Sequence, residues 1–258
     1  MKVKLSNISY ANTIPFGYGF HKNAYIQKNT LFYSHYPAQG GELMQQNAID
    51  ISIIPVAAIP FIPNARIISN YCIAAQGKVD SVLLCSTVPR EKIMHIALDY
   101  QSRTSNVLVQ IIAKKLWNIS PHYSVSTPKT NMHTDADAYV IIGDRALQNA
   151  HKYPYVYDLA EEWYQLHSLP FVFACWVANT TISDTYQEEF EQSLEHGVSH
   201  IQESINFAAQ QHTWNMYEYL TQRIVYFLEP SIRTQVISLF YKEAAELGLL
   251  PDLLIKGS

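Results

Sequence analysis

Three hydroxyl residues, Ser102, Thr104 and Ser105, stand directly in front of an apolar stripe at Val107, Leu108, Ile111, Ile112 and Leu116. That stripe has the spacing of one face of an amphipathic helix. The short run Ile96, Ala97, Leu98 before Asp99 reads as a strand, so the stretch predicts strand, hydroxyl-rich turn, helix. The first N–H groups of a helix have no partner inside it, and the helix dipole places partial positive charge there. Hydroxyls at the same spot can donate to the same anion, and the chemistry on offer is capture of a carboxylate or a phosphate. The same residues also suit a plain N-cap with spare hydroxyls, and the spacing leaves both readings open.

Other candidates are thinner. Asn12 follows a first strand (Val3, Leu5, Ile8) in the run Ser9-Tyr10-Ala11-Asn12-Thr13-Ile14-Pro15, a strand-to-helix loop of the sort that carries ligand groups in open α/β sheets. Ser81 opens the apolar run Val82–Ser86, and Asp144 follows the strand Ala138–Ile142 after Gly143. Asp144 is equally suited to capping the helix that starts near Arg145. His196 and His200 are four apart on one helix, but no third ligand and no His-Glu-x-x-His pattern accompanies them, so no metal site is expected. Cys72, Cys85 and Cys175 form no C-x-x-C pair and read as small core residues.

These groups need a scaffold. Strands are expected at Leu31–Tyr33, Ile49–Pro55, Ile67-Ile68, Cys72–Ala75, Ser81–Ser86, Tyr123–Val125, Ala138–Ile142 and Leu169–Val177, with helices between them. The alternation argues for parallel α/β structure. From Asp184 onward the pattern is helical, with later helices expected at Tyr219–Leu228 and Gln235–Leu247 and a C-cap at Gly248. With 258 residues, 48% hydrophobic and 16% charged, the chain can bury a large core as one domain or two lobes. Its net charge of -4 does not favour nucleic acid or an anionic membrane. The N-terminus MKVKLSNISY has no signal-peptide hydrophobic region, and no apolar run approaches a membrane span, so a cytoplasmic protein is expected.

Seven motifs in order carry a resemblance: Ser9-Tyr10-Ala11-Asn12-Thr13-x-Pro15, Ile49–Pro55, Gly77–Val82, Leu98-Asp99-x-x-Ser102-Arg103-Thr104-Ser105, Ile142-Gly143-Asp144, Asp158-Leu159-x-x-Glu162-Trp163 and Leu169–Ala174 followed by Trp176. The series resembles the chorismate dehydratase family of the futalosine route to menaquinone. It departs from that family at Ala11, where Leu is usual, and at His167-Ser168, where Thr-Gly is usual. The resemblance implies a two-lobed type II periplasmic-binding-protein-like α/β fold with a two-stranded hinge and a ligand cleft between lobes. One lobe would hold 1–88 plus 174–258, the other 89–173.

It further implies loss of water from chorismate, a small dicarboxylate, to give 3-[(1-carboxyvinyl)oxy]benzoate, without metal or cofactor and without a nucleic-acid or membrane partner. Thr104, Ser105 and, at the helix start, Ser102 would hold one carboxylate, and Ser9, Tyr10 and Asp144 would line the site. Asn12 and Ser81 would position the departing hydroxyl or the enolpyruvyl group. None of the ten histidines falls in a matched motif, so a substrate carboxylate is expected to take the proton, with Asp144 as the alternative base. Two related readings are the sister enzyme 1,4-dihydroxy-6-naphthoate synthase and a non-catalytic small-anion binding protein. Oligomeric state is left open.

Overall fold

The computed structural model of the chain describes residues 2–8, 10–35, 37–126, 136–208 and 213–251. In chain order the elements are β1 (Val3–Ile8), α1 (Ile14–Lys22), α2 (Ala24–Asn29), β2 (Thr30–His35), α3 (Pro37–Gln45), β3 (Ile51–Pro55), β4 (Arg66–Ala75), β5 (Val82–Ser86), β6 (His95–Leu98), α4 (Arg103–Lys115), β7 (His122–Val125) and β8 (Ala138–Ile142). They continue with α5 (Asp144–Asn149), β9 (Tyr155–Asp158), α6 (Leu159–His167), β10 (Phe171–Ala178), α7 (Asp184–Ser199), α8 (Ile201–Ala208), α9 (Met216–Glu218), β11 (Val225–Phe227) and α10 (Pro230–Glu246).

The described strands form two sheets, one in each of two compact units. The first unit comprises 1–74 and 172–230, with strand order β11-β4-β10-β3-β1-β2. β1 runs parallel to β2 and β3, and β10 runs antiparallel to β3. Every residue of β3 and of β10 is buried, which is why both read as continuous apolar runs without alternation. Phe16, Phe20, Trp176 and Phe190 pack ring edge against ring face in this core. α1 and α7 cross at two glycines: a Cβ on Gly19 would lie 1.8 Å from the Ser193 carbonyl oxygen, and one on Gly197 would lie 1.8 Å from that of Pro15.

The second unit comprises 75–171 together with the chain from 231 onward, with strand order β7-β6-β8-β5-β9. β6 is parallel to β7 and β8, whereas β5 is antiparallel to both β8 and β9. α10 belongs here: Phe240 meets Trp163 and Phe171 edge-on, and Lys115 of α4 reaches Glu243 and Glu246.

The division expected from sequence, at 88 and 174 with 174–258 in the first lobe, differs from this one in two places. β5 sits inside the second sheet because it pairs along its length with both β8 and β9. The C-terminal helix joins the second unit through Phe240, so the chain passes between the units a third time near 230. The helix expected at Tyr219–Leu228 is instead a π-helical turn, Tyr219–Arg223, followed by β11, which pairs with the edge of β4. Val225-Tyr226-Phe227 is β-branched and aromatic, and sheet pairing outweighs the helical spacing there. Gly248 adopts φ +67, and the N–H groups of Gly248 and Leu249 donate to Ala245 and Ala244, a Schellman C-cap as expected.

Candidate active site

The topology of the second sheet collects four of the matched motifs at one edge. With β6, β7, β8 and β9 parallel and β5 reversed, the carboxyl ends of the four meet the amino end of β5. That edge carries Asp99–Ser105 after β6, Gly143–Arg145 after β8, Asp158 at the end of β9 and Ser81 before β5. Ligands of open α/β sheets bind at such carboxyl edges.

The turn after β6 is held from three directions. Asn106 on α4 donates its amide to the Asp99 carbonyl (2.8 Å) and accepts from the Asp99 N–H (3.0 Å). Asp99 Oδ1 accepts the Gln101 N–H (2.9 Å), and Arg145 Nη2 donates to Asp99 Oδ2 (2.6 Å) and to Gln101 Oε1 (3.0 Å). Asp99 is almost fully buried, and the guanidinium together with the backbone N–H offsets the cost of burying its charge. Ser102 is the N-cap of α4: its Oγ accepts from the Ser105 N–H (3.2 Å) and donates to Ser105 Oγ (2.7 Å). The capping reading therefore holds for Ser102, while the Ser105 hydroxyl proton stays available to an acceptor. Ser102, Thr104 and Ser105 are all buried. A cavity of about 50 Å³ behind the turn, bounded by Ala97, Ser126, Tyr139, Arg145 and Asn149, has room for water but not for a substrate.

Ser81 is buried, and its carbonyl accepts the Gly143 N–H at 2.8 Å. Gly143 has φ 61 and ψ -145, a conformation essentially confined to glycine, and it turns the chain from β8 straight into α5. Asp144 lies in the first turn of α5 and is half-buried. At the end of β9 the Asp158 carboxylate accepts four backbone N–H groups: Val79 (2.9 Å) and Asp80 (2.7 Å) on one oxygen, Ala160 (3.1 Å) and Glu161 (3.3 Å) on the other. It caps α6 and at the same time fixes the turn that delivers Ser81. Burial pushes its carboxyl up to about 6, against the pull of these donors.

In the first unit, Asn12 and Tyr10 follow β1 at the carboxyl edge of that sheet, where β3 also ends. Asn12 sits in a short 3₁₀ turn, and its backbone carbonyl accepts from the Tyr226 hydroxyl (2.9 Å). Its side-chain Oδ1 is buried and has no hydrogen-bond donor among the described residues. Such an orphaned acceptor is what a ligand-facing amide leaves behind. Ser9 lies outside the described residues, as does 127–135 of the polar run before β8.

The sequence reading missed Asp99, Gln101, Arg145 and Asp158 as site-shaping groups. The first had a signal, since an acid directly after a buried strand must be paired. So did Asp158, whose Asp-Leu-Ala-Glu spacing is a capping-box pattern. Arg145 had none, because its partner is 46 residues away. Among the described residues no three His, Cys, Asp or Glu side chains are grouped to hold a metal, and no helix is long and apolar enough to cross a membrane. All three cysteines are buried, and burial pushes the Cys85 thiol up to about 12.

A family model described as menaquinone biosynthesis matches residues 3–245. The chain belongs to the menaquinone biosynthesis family. One relative, chorismate dehydratase from Thermus thermophilus, is 25% identical over 158 residues, which cover 54% of this chain and 58% of that protein. The chain thus aligns with little more than half the length of that relative. Among solved structures, protein AF1704 from Archaeoglobus fulgidus matches with a TM-score of 0.76 at 14% identity, covering 96% of this chain and 98% of that one. The alkanesulfonate-binding protein SsuA from Xanthomonas axonopodis pv. citri, bound to MOPS, matches with a TM-score of 0.67 at 13% identity, covering 97% and 94%. These likenesses establish the family member's fold as periplasmic-binding-protein-like, as the motif series implied.

Proposed function

We propose that this chain is a carbon–oxygen lyase that removes water from chorismate to give 3-[(1-carboxyvinyl)oxy]benzoate. The family and the named relative support the reading. The observation that carries it is the convergence of Ser81, the Ser102–Ser105 turn and Gly143–Asp144 on one carboxyl edge, with neutral donors at a helix start. In the reaction the ring loses the proton on C3 and the hydroxyl on C4 and becomes aromatic, so the driving force resides in the substrate. The protein's task is to hold a dianion, align the two departing groups and stabilise charge on the leaving oxygen.

Thr104 and Ser105, with the first amides of α4, hold one carboxylate. Ser81 donates toward the departing hydroxyl or the enolpyruvyl group. Asn12 contributes a positioning amide, whose undonated Oδ1 can accept the substrate hydroxyl. A carboxylate of the substrate takes the C3 proton. Of the described histidines, His95 and His122 lie at the opposite edge of the second sheet, and His167 is bonded to Glu243.

Steady-state assays on variants test these roles. Asn12→Ala and Ser81→Ala are expected to lower kcat by roughly 10²–10³, as loss of one transition-state donor does. Thr104→Val and Ser105→Ala are expected to act mainly on KM. Full turnover in the Asn12 and Ser81 variants, with turnover abolished in a folded Asp144→Asn, would transfer the base to Asp144.

A further inference from the structure

Arg145 stands one residue beyond the Ile142-Gly143-Asp144 motif, and nothing in the family reading uses it. Its guanidinium bridges two residues of the turn after β6, Asp99 at 2.6 Å and Gln101 at 3.0 Å, from a helix that follows a different strand. The turn is closed around it. Gln101 donates its amide to the Tyr100 hydroxyl (2.7 Å), and the guanidinium carbon lies 5.6 Å from the centre of the Tyr100 ring. Asp99 is in turn fixed to Asn106 on α4 through its own backbone N–H and carbonyl. Arg145 is itself fixed, since Gly143, two residues before it, donates to the carbonyl of Ser81. One contact chain therefore runs from Ser81 through Gly143 and Arg145 to Asp99 and the start of α4.

We propose that Arg145 is a positioning residue for the anion-binding turn: by gripping Asp99 and Gln101 together it fixes the Ser102 cap and holds Thr104 and Ser105 in donor geometry before substrate arrives. This rests on the reading that the turn holds a substrate carboxylate. The contact at 2.6 Å to a buried carboxylate sets the guanidinium against Asp99, so its charge is spent on the turn itself and not on an incoming anion. The planar fork suits this task, since it spans a carboxylate and an amide oxygen at once, whereas a lysine ammonium is a single point on a flexible stem.

The test combines hydrogen–deuterium exchange with kinetics on Arg145→Met, Arg145→Lys and Asp99→Asn. Without substrate, Arg145→Met is expected to speed amide exchange about 10-fold or more in 99–106, with β3 and α10 unchanged. Its KM for chorismate is expected to rise about 10-fold or more while kcat stays within about threefold, the mark of a binding turn that must be ordered on each encounter. Arg145→Lys is expected to recover part of both effects, and Asp99→Asn to reproduce the local exchange with the fold kept. Raised KM with unchanged exchange would make Arg145 a direct anion ligand and overturn the proposal. Accelerated exchange throughout the second unit would reduce it to a general structural role and overturn it as well. A wild-type protein that leaves chorismate unchanged would sink the dehydratase reading, while the exchange arm would still decide the role of Arg145.

Discussion

The Asp158 carboxyl shows how one side chain can be tuned by opposing effects. Four N–H donors favour its anion, yet it is almost fully buried, and burial lifts it from an ordinary 3.8 to about 6. A raised value means that the folded protein binds the proton more tightly than the unfolded chain. The stability this group contributes is therefore full below about pH 4 and is lost as pH rises through 6. Urea midpoints of wild type and Asp158→Asn between pH 4 and 7 check this. The wild type minus variant difference is expected to fall by on the order of 2 kcal/mol across that window. A flat difference, or one that grows with pH, would mean that the N–H donors dominate. Ser168 makes a second prediction at this scale. It ends α6 with φ 54 and ψ 28, a left-handed conformation, and it occupies the place where the related family usually has glycine. Ser168→Gly is expected to stabilise the protein by about 0.5–1 kcal/mol, read as a rise in thermal midpoint.

At the scale of elements, the two glycines between α1 and α7 replace side-chain interdigitation with backbone contact. Either Gly19→Ala or Gly197→Ala would push a methyl into a carbonyl oxygen at 1.8 Å. Each is expected to cost about 1–3 kcal/mol or more, seen as a lower urea midpoint with an unchanged slope. An unaffected midpoint would mean that the helices can part freely. The same scale explains what was legible in the sequence. β3, β8 and β10 announced themselves as apolar runs, and α4 by its stripe and Ser102 cap, because those signals are local. β11 was hidden, since three residues at helical spacing became a strand only by pairing with Tyr71 and Ala74 of β4. The Arg145–Asp99 bridge was hidden for the same reason, as its halves leave different strands.

For the whole molecule, motif order told more than any motif alone. The alternation of strands and helices pointed to α/β structure, and the motif series pointed to two lobes and to the family that the chain belongs to. The third passage of the chain was not legible, because α10 is placed by Phe240 meeting Trp163 and Phe171 across some 70 residues of sequence. The reaction itself belongs to this scale. The direct measurement is to incubate the purified protein with chorismate deuterated at C3 and to follow products by mass spectrometry and ultraviolet absorbance. One product is expected, aromatic, lighter by one water, with the deuterium released to solvent and the enolpyruvyl ether intact. Unchanged chorismate with a folded protein, or a rearranged isomer of the same mass as the substrate, would contradict it.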